Sequence, residues 1–334
     1  MIFQNQAQLH NVAELIPGEK GYTICRVPAA VQAAMKHPKA GNNWSGTELR
    51  FVIEEGNEAT VLLYLPEENR KACLAFPLYL GNHQYAWQWI EPRWLEPGMN
   101  ELKVTLPETM ESLEAVSREY GDPFSARVVR IVMPSGNYEF CGVEGKVRPP
   151  KPEELPAKRA IFYGSSITHG NSGVNSMANY VSVCGRQLKL NAHNLGMSGS
   201  CYVEPELLDY VLSFKDAAFL SVEVGTNCAG KLPGRLSDEE LQRRVEHLVN
   251  GFKADPGDRH LFIIDCLGLT ARWDTCRQIV RDAVKNSGCP RIHYVCGMSL
   301  LPNRQYLVID GVHPSLDGQY HIGLTYSELL RQYL

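Results

Sequence analysis

Two hydrophobic rhythms divide the chain. From the N-terminus to about Lys146, apolar residues come in short alternating runs. In "ELRFVIEE" (Glu48 to Glu55), Leu49, Phe51 and Ile53 alternate with polar or mixed neighbours, the period-two mark of a half-buried strand. "ATVLLYLP", "CLAFPLYLG", "NELKVTLP", "ARVVRIVMP" and "YEFCGVEG" read as further short strands, punctuated by Gly, Asn and Pro. Such runs predict an all-β, jelly-roll-like sandwich over residues 1–146. The Glu-rich "ETMESLEAVSREYG" fits either a short helix or a loop.

The stretch "KVRPPKPEELPAKR" (Lys146 to Arg159) packs four prolines into fourteen residues. Proline fixes φ and lacks a donor, so residues 147–159 read as an extended linker. From residue 160 to 334 the rhythm alternates between apolar strands and helix-period segments. "AIFYG", "AHNLG", "AAFLSVEVG", "HLFIIDC" and "RIHYVCG" read as strands. Between them lie helices from about Met177 to Leu188, at "EPELLDYVLSF", after the capping box of Ser237 and Glu240, and at "ARWDTCRQIVRDAVKNSG" with Gly288 past its end. A last helix covers about Leu316 to Tyr333. Alternation of this kind predicts a parallel sheet covered by helices on both faces, because a parallel pair needs a crossover connection.

Composition narrows the function. A 44% apolar, 21% charged chain is that of a soluble globular protein. A net charge of -4 without a Lys/Arg block argues against nucleic acid. No apolar run reaches membrane-spanning length, and the N-terminus lacks the basic flank and apolar core of a signal peptide, so a cytoplasmic location is expected. The ten cysteines include no C-x-x-C pair and read as free thiols. H-E-x-x-H, P-loop and G-x-G-x-x-G motifs are absent.

In a sheet of this class, ligands bind beyond the carboxyl ends of the strands. Those ends read "GSSITHG", "NLGMSGS" and "VEVGTNC", and "DGVHPS" precedes the last helix. Together they hold what acyl transfer needs. A serine needs a base, and His313 can serve; Asp310, three residues before it, can hold the imidazole in the required tautomer. The backbone N–H of Gly199, the carboxamide of Asn227 and the backbone N–H of the nucleophile can stabilise an oxyanion.

These four turns resemble the blocks of the SGNH (GDSL-type) hydrolases. That family's G-D-S-I-T-like block matches Gly164-Ser165-Ser166-Ile167-Thr168, its oxyanion glycine Gly199, its G-x-N-D Gly225-Thr226-Asn227-Cys228, and its D-x-x-H Asp310 to His313. The resemblance, which runs from about Ala160 to the C-terminus, makes Ser166 the nucleophile, His313 the base and Asp310 the orienting acid. It makes Ser166, Gly199 and Asn227 the oxyanion hole, and it implies a flavodoxin-like three-layer α/β/α fold needing no metal or organic cofactor. Ser165 and Cys228 stand where the family usually has Asp. A β-rich domain ahead of such a hydrolase also resembles two-domain carbohydrate esterases.

The expected activity is therefore hydrolysis of short-chain, acetyl-type esters on a small molecule or oligosaccharide. A lipase or thioesterase of the same fold and a catalytically inactive sugar-binding protein stand as alternatives. The oligomeric state is open, homo-oligomer included. Ser198 is expected to be structural, and a reactive role for Cys201 or Cys228 would need a lowered thiol pKa. His169 fits either a pocket wall or a solvated loop. Four of the five tryptophans, Trp44, Trp87, Trp89 and Trp94, fall in the β-rich part and are expected to fill its core.

Overall fold

The computed structural model describes residues 1–69, 71–85, 93–170, 178–230, 233–268 and 273–334. The chain forms two compact units. The first holds Met1–Pro28 and Asn42–Ala157; the second holds Ala29–Gly41 and the described chain from Lys158 onward.

The first unit is antiparallel and built around one long strand, Thr47–Leu65. The sequence suggests two strands here, split at the polar Glu54–Glu58 stretch. The structure joins them, because one partner, Glu139–Arg148, follows both halves: Phe140 faces Leu63 and Val147 faces Ile53. Val128–Met133 pairs with the first half and Gly98–Thr105 with the second. Four further short strands lie between Ile2 and Cys25, where no strand was expected. The Glu-rich segment resolves to a helix, Met110–Glu119.

The inward residues Leu49, Phe51, Ile53, Val61, Leu63 and Leu65 form the core of this unit. Trp44 fills it as expected, stacked on Tyr138 and donating its indole N–H to the Tyr138 carbonyl at 3.1 Å. Trp94 does not. It is 59% exposed, with the Lys71 ammonium 4.8 Å from its ring centroid, because its short strand Arg93–Leu95 pairs only at the two-stranded sheet's edge. Trp87 and Trp89 lie outside the described residues. Glu48 is buried between Arg50 and Arg130, and Arg130 lies 3.9 Å from the Phe124 ring centre. The proline-rich stretch also differs from an extended linker. Its strand runs on to Arg148, whose guanidinium binds Glu154 through two bonds of 2.7 and 2.8 Å, and the Glu154 carbonyl accepts the Ser125 N–H. These bonds pin residues 148–154 to the first unit.

The second unit carries the predicted parallel sheet. Its strands are Arg159–Gly164, Asn191–Gly196, Ala217–Glu223, His260–Ile264 and Ile292–Val295, in spatial order 2-1-3-4-5. That is the flavodoxin-like order. The helices Tyr180–Gln187, Pro205–Leu212, Asp238–Lys253, Asp274–Ser287 and Leu316–Arg331 cover it. The Ser237 hydroxyl caps the third of these by accepting the Glu240 N–H at 3.1 Å. On one face Phe162, Phe219, Phe262 and Tyr326 pack edge to face, an arrangement that suits the quadrupoles of aromatic rings.

The order reverses at the first strand, which has the second on one side and the third on the other. The crevice for a ligand therefore opens beyond the carboxyl ends of the first and third strands. The segment Ala29–Gly41 adds to this unit: the Lys36 N–H donates to the buried Glu204 carboxylate at 3.0 Å, and its ammonium lies 4.0 Å from the Tyr202 ring centre. No helix among the described residues is long and apolar enough to cross a membrane.

Candidate active site

The first strand ends at Gly164 and the chain turns at once into a one-turn helix, Ser166–His169. Ser165 caps it, accepting the Ile167 N–H on its hydroxyl at 3.1 Å. Two adjacent serines thus have different duties. Ser165 is fully buried and its hydroxyl is taken up by the Ile167 N–H and the Glu223 carboxylate, whereas Ser166 is 4% exposed and sends its hydroxyl elsewhere. Its Oγ lies 2.7 Å from His313 Nε2.

His313 reaches that position from a tight loop ahead of the last helix. A bridge pairs Leu307 with Pro314, and the Val308 N–H donates to the His313 carbonyl at 2.9 Å. Asp310 lies inside this loop. Its Oδ2 is 2.6 Å from His313 Nδ1, and its Oδ1 accepts the backbone N–H groups of Val312 and His313 at 2.8 and 2.9 Å. Burial opposes ionisation of this carboxyl, but the hydrogen bonds from His313 and Val312 outweigh it and hold its pKa down at about 2. An ionised carboxylate only accepts, so the Nδ1 proton belongs to His313 and Nε2 is left as the acceptor for the serine proton. Gln319, in the first turn of the last helix, donates to the Ile167 carbonyl at 3.0 Å and accepts the Tyr180 N–H at 2.9 Å. It thereby ties the nucleophile helix to the element that follows His313.

The structure thus brings Ser166, His313 and Asp310 into one hydrogen-bonded line. Gly199 and Asn227 lie on turns joined to each other. The Met197 N–H donates to the Gly164 carbonyl at 2.8 Å, which seats the second turn beside the first. Gly199 follows with φ +68°, a left-handed conformation that an L side chain resists, and nothing crowds it. Asn227 Oδ1 accepts the Cys201 N–H at 3.1 Å, which leaves Nδ2 as the donor end of its carboxamide.

One functional-looking residue was not singled out from the sequence: Glu223, the last residue of the third strand. It is 1% exposed. Its carboxylate accepts the Ser165 N–H at 2.9 Å, the Ser165 hydroxyl at 2.7 and 2.9 Å, and the Thr168 and Thr226 hydroxyls at 2.8 Å each. The signal available in the sequence was an acidic residue inside the apolar run "AAFLSVEVG", where a strand buried on both faces has no place for an unpartnered charge.

The nearby nucleophile candidates do not compete. Cys201 and Cys228 are buried; burial pushes the Cys201 thiol well up and the Cys228 thiol up to about 12, the reverse of an activated cysteine. Ser198 is exposed beside Gly199. His169 is not solvated: it is 7% exposed, with Nδ1 3.2 Å from the Gly196 carbonyl, because the nucleophile helix packs closely on the end of the second strand.

Comparison with known proteins agrees with this layout. A model of the GDSL-like Lipase/Acylhydrolase family matches residues 157–331. Among curated proteins, none matches the sequence. Among solved structures, the chain is similar to the salicylyl-acyltransferase SsfX3 from a tetracycline biosynthetic pathway, at 15% identity and TM-score 0.76, covering 98% of this chain and 94% of that one. It is also similar to a putative GDSL-like lipase from Bacteroides ovatus, at 17% identity and TM-score 0.67, over 98% and 96% of the two chains. A third is a family two carbohydrate esterase from Clostridium thermocellum, in complex with cellohexaose, at 18% identity and TM-score 0.59, over 87% and 94%. Such low identities speak to the fold, which these structures share across both units. The family model, matched over more than half the chain, carries the classification: the chain belongs to the GDSL-like lipase/acylhydrolase family and is a carboxylic ester hydrolase.

Proposed function

We propose that this protein is a serine esterase that removes short acyl groups, acetyl foremost, from a carbohydrate through an acyl-enzyme intermediate. The observation that carries the reading is the unbroken line Asp310–His313–Ser166, with contacts of 2.6 and 2.7 Å.

The chemistry follows from the proton positions. Ser166 Oγ attacks the ester carbonyl carbon while its proton passes to His313 Nε2. The imidazolium that forms is stabilised by the Asp310 carboxylate on its other nitrogen. The carbonyl oxygen becomes an oxyanion held by the backbone N–H groups of Ser166 and Gly199 and by Asn227 Nδ2. When the tetrahedral species collapses, the C–O bond to the sugar breaks and the leaving oxygen takes the proton from Nε2. Water then attacks the acyl-enzyme, giving up a proton to Nε2, and collapse returns that proton to Ser166 and releases the acid.

A sugar as the alcohol is supported by the two-unit layout shared with the carbohydrate esterase that holds cellohexaose. The test is acetate release from acetylated oligosaccharides, compared with aryl acetates and aryl octanoates. The reading expects acetate from the sugar, a preference for acetyl over octanoyl, and loss of both activities in Ser166→Ala. Turnover of aryl octanoates with no release from acetylated sugars would refute the carbohydrate assignment and point to a lipase.

A further inference from the structure

We infer that Glu223 is a positioning residue for catalysis, setting the nucleophile and the oxyanion donors at their working separation. The inference rests on Ser166 being the nucleophile.

Glu223 is the last strand residue before the Asn227 turn. From the end of the third strand its side chain reaches the N-terminus of the nucleophile helix, through the Ser165 N–H and hydroxyl, and the body of that helix, through Thr168. The same carboxylate takes the hydroxyl of Thr226, next to Asn227. Its backbone carbonyl accepts the Cys201 thiol at 3.4 Å, and Cys201 in turn orients the Asn227 carboxamide. One residue therefore fastens the nucleophile turn and the Asn227 turn directly, and the Gly199 turn through Cys201.

The hydrogen bonds all run one way. The Ser165 hydroxyl accepts from the Ile167 N–H and spends its single proton on Glu223. Thr168 spends its proton on Glu223 and so takes one from the Tyr180 hydroxyl, 2.8 Å away. Every partner of Glu223 donates, and among the described residues no Lys, Arg or His forms an ion pair with it. A buried carboxylate held by hydroxyls and one backbone N–H, with no counter-charge, is costly unless every donor stays in place, so the site is rigid as a unit. Displacement of Ser166 Oγ relative to Asn227 Nδ2 by a fraction of an ångström disturbs the transition state more than the bound ester.

Ser165 fits this arrangement. A carboxylate at position 165 could cap the same helix but would meet Glu223 in a buried space, two like charges in contact. Serine at 165 and glutamate at 223 are thus two halves of one device, and a carboxylate is needed at one position only.

The experiment uses the full chain and an aryl acetate. Glu223→Gln is expected to lower kcat by about 10- to 100-fold with KM within about twofold. Ser165→Asp alone is expected to be at least as impaired. The double variant Ser165→Asp/Glu223→Gln is expected to recover about tenfold over Ser165→Asp, since one carboxylate is restored. A folded Glu223→Gln with kcat within about threefold of the parent, or a double variant whose losses simply multiply, would overturn the inference. If Glu223→Gln does not fold, Thr226→Val decides: a fall in kcat of about tenfold at unchanged KM supports it, and parental kcat overturns it. Ser166→Ala keeps the two readings apart. Full turnover in that variant removes the nucleophile assignment whatever Glu223 does, whereas fluorophosphonate labelling of Ser166 at the parental rate in Glu223→Gln removes only the positioning role.

Discussion

Asp310 shows how much three hydrogen-bond donors can do for a side chain. Two N–H groups and an imidazole N–H converge on its two oxygens and hold the carboxyl near a pKa of about 2 despite partial burial. The sign is that of a depressed acid. Its contribution is complete above the ordinary carboxylate value of 3.8 and is lost only as the pH falls through about 2. The acid limb of kcat/KM above pH 4 should therefore show a slope of one, from a single group; a slope of two would mean that Asp310 titrates there as well. Asp310→Asn should lower kcat by about 10⁴-fold, because an amide in its place favours the wrong imidazole tautomer. Glu48 makes the same point for stability. Burial opposes its charge, yet Arg130 and Arg50 hold its carboxyl well below the usual range. Glu48→Gln leaves two buried guanidinium groups short of their counter-charge and should destabilise the first unit by about 3–5 kcal/mol, measured by denaturant unfolding.

At the scale of elements, the site depends on close approach at the end of the first strand. A Cβ on Gly164 would fall 2.1 Å from Thr168 Oγ1 and 2.6 Å from Glu223 Oε2. Gly164→Ala should therefore force these groups apart, destabilising the protein by on the order of 1–3 kcal/mol and lowering kcat in the folded fraction. Parental stability and kcat would show that the turn has slack. Much of this geometry was legible in advance. Strand ends rich in Gly, Ser, Thr and Asn are conspicuous beside apolar runs, and the four turns of the second unit could be placed on one rim from their order alone. Glu223 was not legible as a site residue, because its partners lie 58 and 55 residues away at Ser165 and Thr168 and next door at Thr226. The long strand Thr47–Leu65 was also misread. Five exposed positions in its middle look like a turn until a single partner strand is seen to run past them.

For the whole molecule, chain order and spatial grouping part company at one place. Ala29–Gly41 belongs by sequence to the β-rich part and by packing to the parallel-sheet unit, and no periodicity signals it. Its N–H bond to Glu204, which is 4% exposed, predicts that a fragment beginning at Lys158 will have a lower melting temperature than the same unit in the full chain. An equal melting temperature would show that the segment adds nothing. The polar hydrogen-bonded line across Asp310, His313 and Ser166 spans 147 residues of chain between its serine and its imidazole, and everything functional stands on it. The most direct measurement is reaction with a fluorophosphonate followed by mass mapping. The account predicts one adduct per chain, on Ser166, absent in Ser166→Ala and formed far more slowly in His313→Ala; no adduct, or an adduct on another residue with ester turnover intact in Ser166→Ala, would contradict it.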